Sequence, residues 1–147
     1  MSSFRSSVWD PSLIIGQMVC MQSLFYFIQC LALSGFRLSG SHATISAIFS
    51  PQTSRALVFT ELIASTLCAV ALVKVVQKAK QCLDFSTTMH FWHLVIVSIT
   101  SATFPTQISW WLLQISSIVI CTVIGEYLCM REETREIPLT LNSRYAL

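Results

Sequence analysis

Four ionisable side chains fall deep enough in apolar surroundings to suggest chemistry: Glu61, Glu126, His90 and His93. Hydrocarbon penalises such groups, so one that is retained marks a function or a partner. Two adjacent carboxylates would supply an acid and a base, and a cluster of His, Cys or acidic groups would hold a metal. Spacing opposes the first. Glu61 lies about 8–9 Å inside one end of its apolar stretch, and Glu126 lies within about 6 Å of the opposite face, at 1.5 Å per residue. They are too far apart in depth to share a proton or a metal. His90 and His93 share a helix face, but with His42 as the one other histidine the ligand set is thin. There is no Ser-His-Asp set and no cysteine nucleophile with its base, and four glycines leave no material for a phosphate cradle. No enzyme, cofactor or metal is expected. His90 stands at a depth similar to Glu126 and Lys74, which predicts a polar cluster near one mouth of the structure. The plainer reading is an interhelical hydrogen bond worth about 1 kcal/mol.

The elements that position these residues follow from where the charge is missing. Of 147 residues, 54% are hydrophobic and 11% are charged, with a net charge of +2. Soluble domains carry about 25% charged residues. A disordered chain is excluded, and so is a charge-driven nucleic-acid binder, which needs a basic surface for phosphates. Four stretches match the roughly 20 apolar residues that cross a bilayer: 13–33, 56–76, 86–104 and 107–129. They contain three formal charges, Glu61, Lys74 and Glu126, and the other thirteen lie outside. The predicted fold is all-α: a four-transmembrane-helix bundle over 13–130, with a segment 1–12 before it and a solvated, flexible tail 131–147 after it.

Local punctuation supports these limits. Asp10-Pro11 reads as a helix start, with Asp10 capping free N–H groups and Pro11 lacking one. The 21-residue apolar run after an acidic residue is too long for a signal peptide. Trp9, Trp110 and Trp111 are expected at headgroup depth. Ser34-Gly35 ends the first stretch, and Pro105 leaves so short a loop that the third and fourth helices must be antiparallel neighbours.

Basic residues orient the bundle. Arg5, Lys74, Lys78, Lys80, Arg131, Arg135 and Arg144 fall on the side of the termini, against Arg37 and Arg55 on the other. Both termini are therefore expected in the cytosol, with the 34–55 loop lumenal. None of the six cysteines lies in that loop, so no disulfide framework is implied. Cys82 and Cys129 sit at the cytosolic edge, where palmitoylation is one reading and an unmodified thiol the other. Gln22, Tyr26 and Gln29 form a polar stripe, which in a membrane helix faces protein.

Certain strings, taken in order, resemble the Sys-one family of four-span Golgi membrane proteins in vesicle traffic. They are Phe4-Arg5, Trp9-Asp10-Pro11, Lys80-Gln81-Cys82-Leu83-Asp84-Phe85, His90-Phe91 with His93-Leu94, Phe104-Pro105 and Trp110-Trp111. The set closes with Ile124-Gly125-Glu126-Tyr127-Leu128-Cys129-Met130-Arg131 and Glu136-Ile137-Pro138-Leu139. The resemblance implies a multi-pass protein of the trans-Golgi membrane that is not an enzyme. It further implies a receptor for an Arf-related small GTPase with an acetylated N-terminus. A receptor of that kind needs a polar groove at the cytosolic face. Lys78, Lys80, Gln81, Asp84, His90, His93, Glu126, Tyr127 and Arg131 are the residues expected to line it. A homo-oligomer is compatible with such a chain. Two rival classes remain: a small proton-coupled transporter using Glu61, and a structural scaffold of Golgi membranes.

Overall fold

The computed structural model describes residues 10–40 and 44–144, with side chains described as far as residue 135. Trp9, Arg5 and His42 lie outside the described residues. The elements are α1 (Pro11–Leu38), a 3-10 turn (Ile45–Phe49), α2 (Arg55–Val75), a second 3-10 turn (Ala79–Gln81), α3 (Cys82–Ser101) and α4 (Ile108–Arg144). The described residues are helical in all their regular elements and hold no strand. Three of the helices are long and apolar enough to cross a membrane: Pro11–Leu38, Arg55–Val75 and Ile108–Arg135. α3 is not among them. Its average is lowered by Ser86, His90 and His93, which it turns into the protein rather than outward.

The helix ends follow local chemistry. The Asp10 carboxylate accepts from the Ser12 backbone N–H, and Pro11 stands at the first helical position. Hydrogen bonding from Ser12, and then from the Leu13 N–H, holds the Asp10 carboxyl below the usual carboxylate range. α1 does not stop at Ser34-Gly35 as expected but runs another turn to Leu38. Ser39 caps it, and Gly40, at φ 93°, takes the left-handed conformation that reverses the chain. Ser54 caps α2 by accepting from the Leu57 N–H. α4 also overruns its expectation: the tail foreseen as flexible continues the helix to Arg144, and Arg131–Arg135 are exposed.

The four helices alternate in direction. Gln17 Nε2 donates to the Val75 carbonyl at 2.7 Å while Phe36 stacks on Phe59, so α1 and α2 are antiparallel. Ser86 Oγ donates to the Ile118 carbonyl at 3.3 Å and His90 meets Gln114, so α3 and α4 are antiparallel across the short turn at Pro105. Residues 44–54 of the connection fold back over one end. Ile48 is buried, Phe49 packs against Tyr26, and Thr100 Oγ1 donates to the Phe49 carbonyl at 3.4 Å. Thr53 reaches α4, with its Oγ1 2.9 Å from Ser109 Oγ.

The surface is more apolar than the interior in one telling respect. Val19, Phe27, Leu31, Ile99, Leu112 and Val123 are exposed, while Gln29, Glu61, His90, His93 and Gln114 are buried. That arrangement suits a lipid surround, in which polar groups hold helices together.

Candidate functional site

Two regions carry the polar chemistry. The first is a buried polar layer to which every helix contributes. α1 supplies Tyr26 and Gln29, α2 supplies Glu61 and Ser65, α3 supplies His90 and His93, and α4 supplies Gln114 and Ser117. Each set recurs at three- or four-residue intervals, which puts it on one helix face. Nδ1 of His90 lies 2.9 Å from Gln114 Oε1, and the Tyr26 hydroxyl lies 3.1 Å from His93 Nδ1. The Phe25 ring meets both imidazoles edge-on, and Trp110 stacks on His93 at an interplanar angle of 14°. Gln29, Glu61, His93 and Trp110 border a common cavity of about 10 Å³, room for one water molecule. The buried Oε1 atoms of Gln29 and Glu61, and Nε2 of both His90 and Gln114, have no protein partner there.

This layer corrects two expectations. The cluster of His90, Glu126 and Lys74 does not form. His90 pairs with Gln114, and Glu126 is twelve residues farther along α4, about 18 Å at the helical rise. The plainer reading, a bond joining the third and fourth helices, is the one the structure displays. Trp110 is buried in the core rather than marking an interface, while the half-exposed Trp111 donates Nε1–H to the Pro105 carbonyl at 3.1 Å. Among the described residues no group of three or more His, Cys, Asp or Glu is placed to hold a metal.

The second region is the end where α2 finishes, α3 begins and α4 continues outward. Lys78, Lys80, Asp84, Tyr127 and Arg131 are exposed there, and Gln81 and Glu126 are half-buried. His90 and His93 do not join them, because the inward face of α3 carries both into the polar layer. A cavity of about 150 Å³ opens between α2 and α4, lined by Val73, Lys74, Gln77, Cys129, Glu132 and Glu133. The Ala79 N–H donates to Glu133 Oε1 at 3.3 Å and ties the α2–α3 connection to α4. Cys82 and Cys129 are buried with their sulfurs 3.7 Å apart, in keeping with the reading of both as unmodified thiols.

Sequence reasoning missed Gln114 as the partner of His90, and Ser65 and Ser117 as buried neighbours in the same layer. The signal was present as Glu61-Ser65-Cys68, Ser86-His90-His93 and Gln114-Ser117-Cys121, three polar stripes at helical spacing. It becomes readable once the exterior is taken to be the apolar side.

Comparison with known proteins supplies the remaining observation. Residues 4–139 match the family described as "SYS1: Integral membrane protein S linking to the trans Golgi network". A Nematostella vectensis protein named "Protein SYS1 homolog" is 37% identical over 150 residues, covering 97% of this chain and 95% of that protein. A Dictyostelium discoideum protein of the same name is 36% identical over 148 residues, covering 92% of this chain and 62% of that longer protein. No solved structure matches.

Proposed function

The chain belongs to the SYS1 family of Golgi integral membrane proteins, and on that premise we propose that it is a docking receptor for a small GTPase. In this reading all four helices span the membrane, both termini face the cytosol, and the protein acts at the trans-Golgi. It binds an Arf-related GTPase through that protein's acetylated N-terminal peptide, and it works by binding rather than by catalysis.

The observation that carries the reading is the gathering of charge at one end of the molecule. Lys78, Lys80, Asp84 and Arg131 are exposed around the mouth between α2, α3 and α4, and Lys74, Glu132 and Glu133 line the cavity behind them. Arg37 and Arg55 stand at the opposite end, where α1 finishes and α2 begins. The basic excess at the first end favours the cytosol for it. α3 supports a fourth span by burying its polar side chains against α1 and α4, so that its outward residues, such as Phe91 and Ile99, are apolar. An apolar peptide lying at headgroup depth would meet this rim from the membrane plane.

Affinity capture with acetylated and unacetylated N-terminal peptides of the GTPase tests the proposal. Retention of the acetylated form is the expected result. Equal retention of both would overturn it in favour of a scaffold that ignores the acetyl group. Depletion of the protein should release the GTPase from Golgi membranes into the cytosol.

A further inference from the structure

Cys82 opens α3 and Cys129 lies near the point where α4 leaves the bundle, 47 residues apart in sequence. Their Sγ atoms are 3.7 Å apart, and both are free thiols. A disulfide bond is about 2.05 Å long, so roughly 1.7 Å of approach separates this contact from a covalent bond. Among the described residues no other pair of cysteine sulfurs is hydrogen-bonded; Cys20 is exposed, Cys30 is half-buried, and Cys68 and Cys121 are buried. Gly125 packs beside this contact: a Cβ added there would meet Leu72 Cδ1 at 3.2 Å and lie in ordinary contact with Cys82 Sγ at 3.5 Å, so a side chain larger than alanine would press on Cys82.

A buried thiol is ordinarily inert because reagents do not reach it. Cys129 differs in bordering the 150 Å³ cavity at the charged end, whose other walls include Lys74, Glu132 and Glu133. A water molecule needs about 10–15 Å³ by the same measure, so a peroxide fits.

We propose that Cys82 and Cys129 form a reversible dithiol–disulfide modification site, oxidised by a small peroxide and reduced by a low-molecular-weight thiol. In the first step the peroxide O–O bond breaks as one oxygen bonds to the Cys129 sulfur, giving a sulfenic acid and water. The Cys82 sulfur then attacks the Cys129 sulfur, forming the S–S bond and breaking S–O. The departing hydroxide takes the Cys82 proton and leaves as a second water. Two electrons have moved from the two sulfurs to the peroxide. Two molecules of reducing thiol reverse this by exchange, becoming their own disulfide. The bond staples the start of α3 to α4 at the end that carries Lys78, Lys80 and Arg131. The assignment does not rest on GTPase docking.

The full chain in detergent or lipid nanodiscs, treated with hydrogen peroxide and then denatured with a maleimide, reads the site directly. Alkylatable thiols should fall from six to four, and peptide mapping should find one Cys82–Cys129 linkage that excess glutathione removes. Cys82→Ser and Cys129→Ser should each abolish the linkage, while Cys20→Ser leaves it. Six thiols still alkylated, a linkage between other cysteines, or sulfinic and sulfonic products at Cys129 would overturn the proposal. Mapping on the unsubstituted chain decides this even where a serine variant does not fold.

Discussion

Nδ1 of His90 lies 2.9 Å from Oε1 of Gln114 and ties α3 to α4 inside the bundle. An amide oxygen can only accept, so Nδ1 carries the hydrogen in this pair and Nε2 points into the layer without a protein partner. Gln114→Leu removes the acceptor and strands that donor. We expect a loss of about 1 kcal/mol, in keeping with interhelical hydrogen bonds in membranes. Denaturant unfolding in detergent measures it, and an unchanged midpoint would show that the pair contributes nothing.

The Tyr26–His93 bond is testable by a double-mutant cycle. Tyr26→Phe removes the hydroxyl 3.1 Å from Nδ1 and leaves the ring packed on Phe49. His93→Gln should cost more, because it also removes the stacking on Trp110. The coupling between the two should be about 0.5–1.5 kcal/mol. Simple additivity would contradict the bond.

Gly125 should tolerate alanine better than any larger side chain. The nearest atom to an added Cβ is the tip of Leu72, which can give by a few tenths of an ångström. Gly125→Leu has no such outlet and should destabilise by about 1–3 kcal/mol through overpacking. It should also part Cys82 from Cys129 and suppress their peroxide-driven linkage, as read by the thiol count.

Charge reversal at the exposed end separates docking from folding. Lys78→Glu with Lys80→Glu should weaken retention of the acetylated GTPase peptide while the unfolding free energy stays within about 0.5 kcal/mol of the unsubstituted protein, since both side chains are exposed. Wild-type retention would remove these lysines from the docking surface.

Asp10 makes a prediction with a sign. Hydrogen bonding from Ser12 keeps its carboxyl below the unfolded value, so the cap stabilises above that unfolded value and is lost as pH falls through the folded one. The protection of the α1 first turn over Asp10→Ala should be largest at neutral pH and shrink on acidification, as read by amide exchange in the two proteins at matched pH.

How much of this was legible beforehand differs by residue. The Asp10-Pro11 start and the Pro105 turn were readable because caps and prolines act locally. The end of α1 was not, since Gly35 can continue a helix and only the left-handed Gly40 stops it. The polar layer was misread for a geometrical reason. Depth counted from assumed span ends put His90 beside Glu126, whereas Ser86 against Ile118 and His90 against Gln114 set the α3–α4 register differently. A register is a pairwise property of two helices, and neither helix encodes it alone. The thiol contact was hidden for the same reason, although both cysteines stood out individually.

The connection that folds over one end also makes the molecule mechanically lopsided. There Thr53 is tied to Ser109, Thr100 to the Phe49 carbonyl, and Ile48 is sunk between the helices. At the far end, α2 and α4 flank a cavity, and the Ala79 N–H of the α2–α3 connection bonds Glu133 of α4. One end of the bundle is thus sealed by the chain's own connection, whereas the charged end keeps an opening.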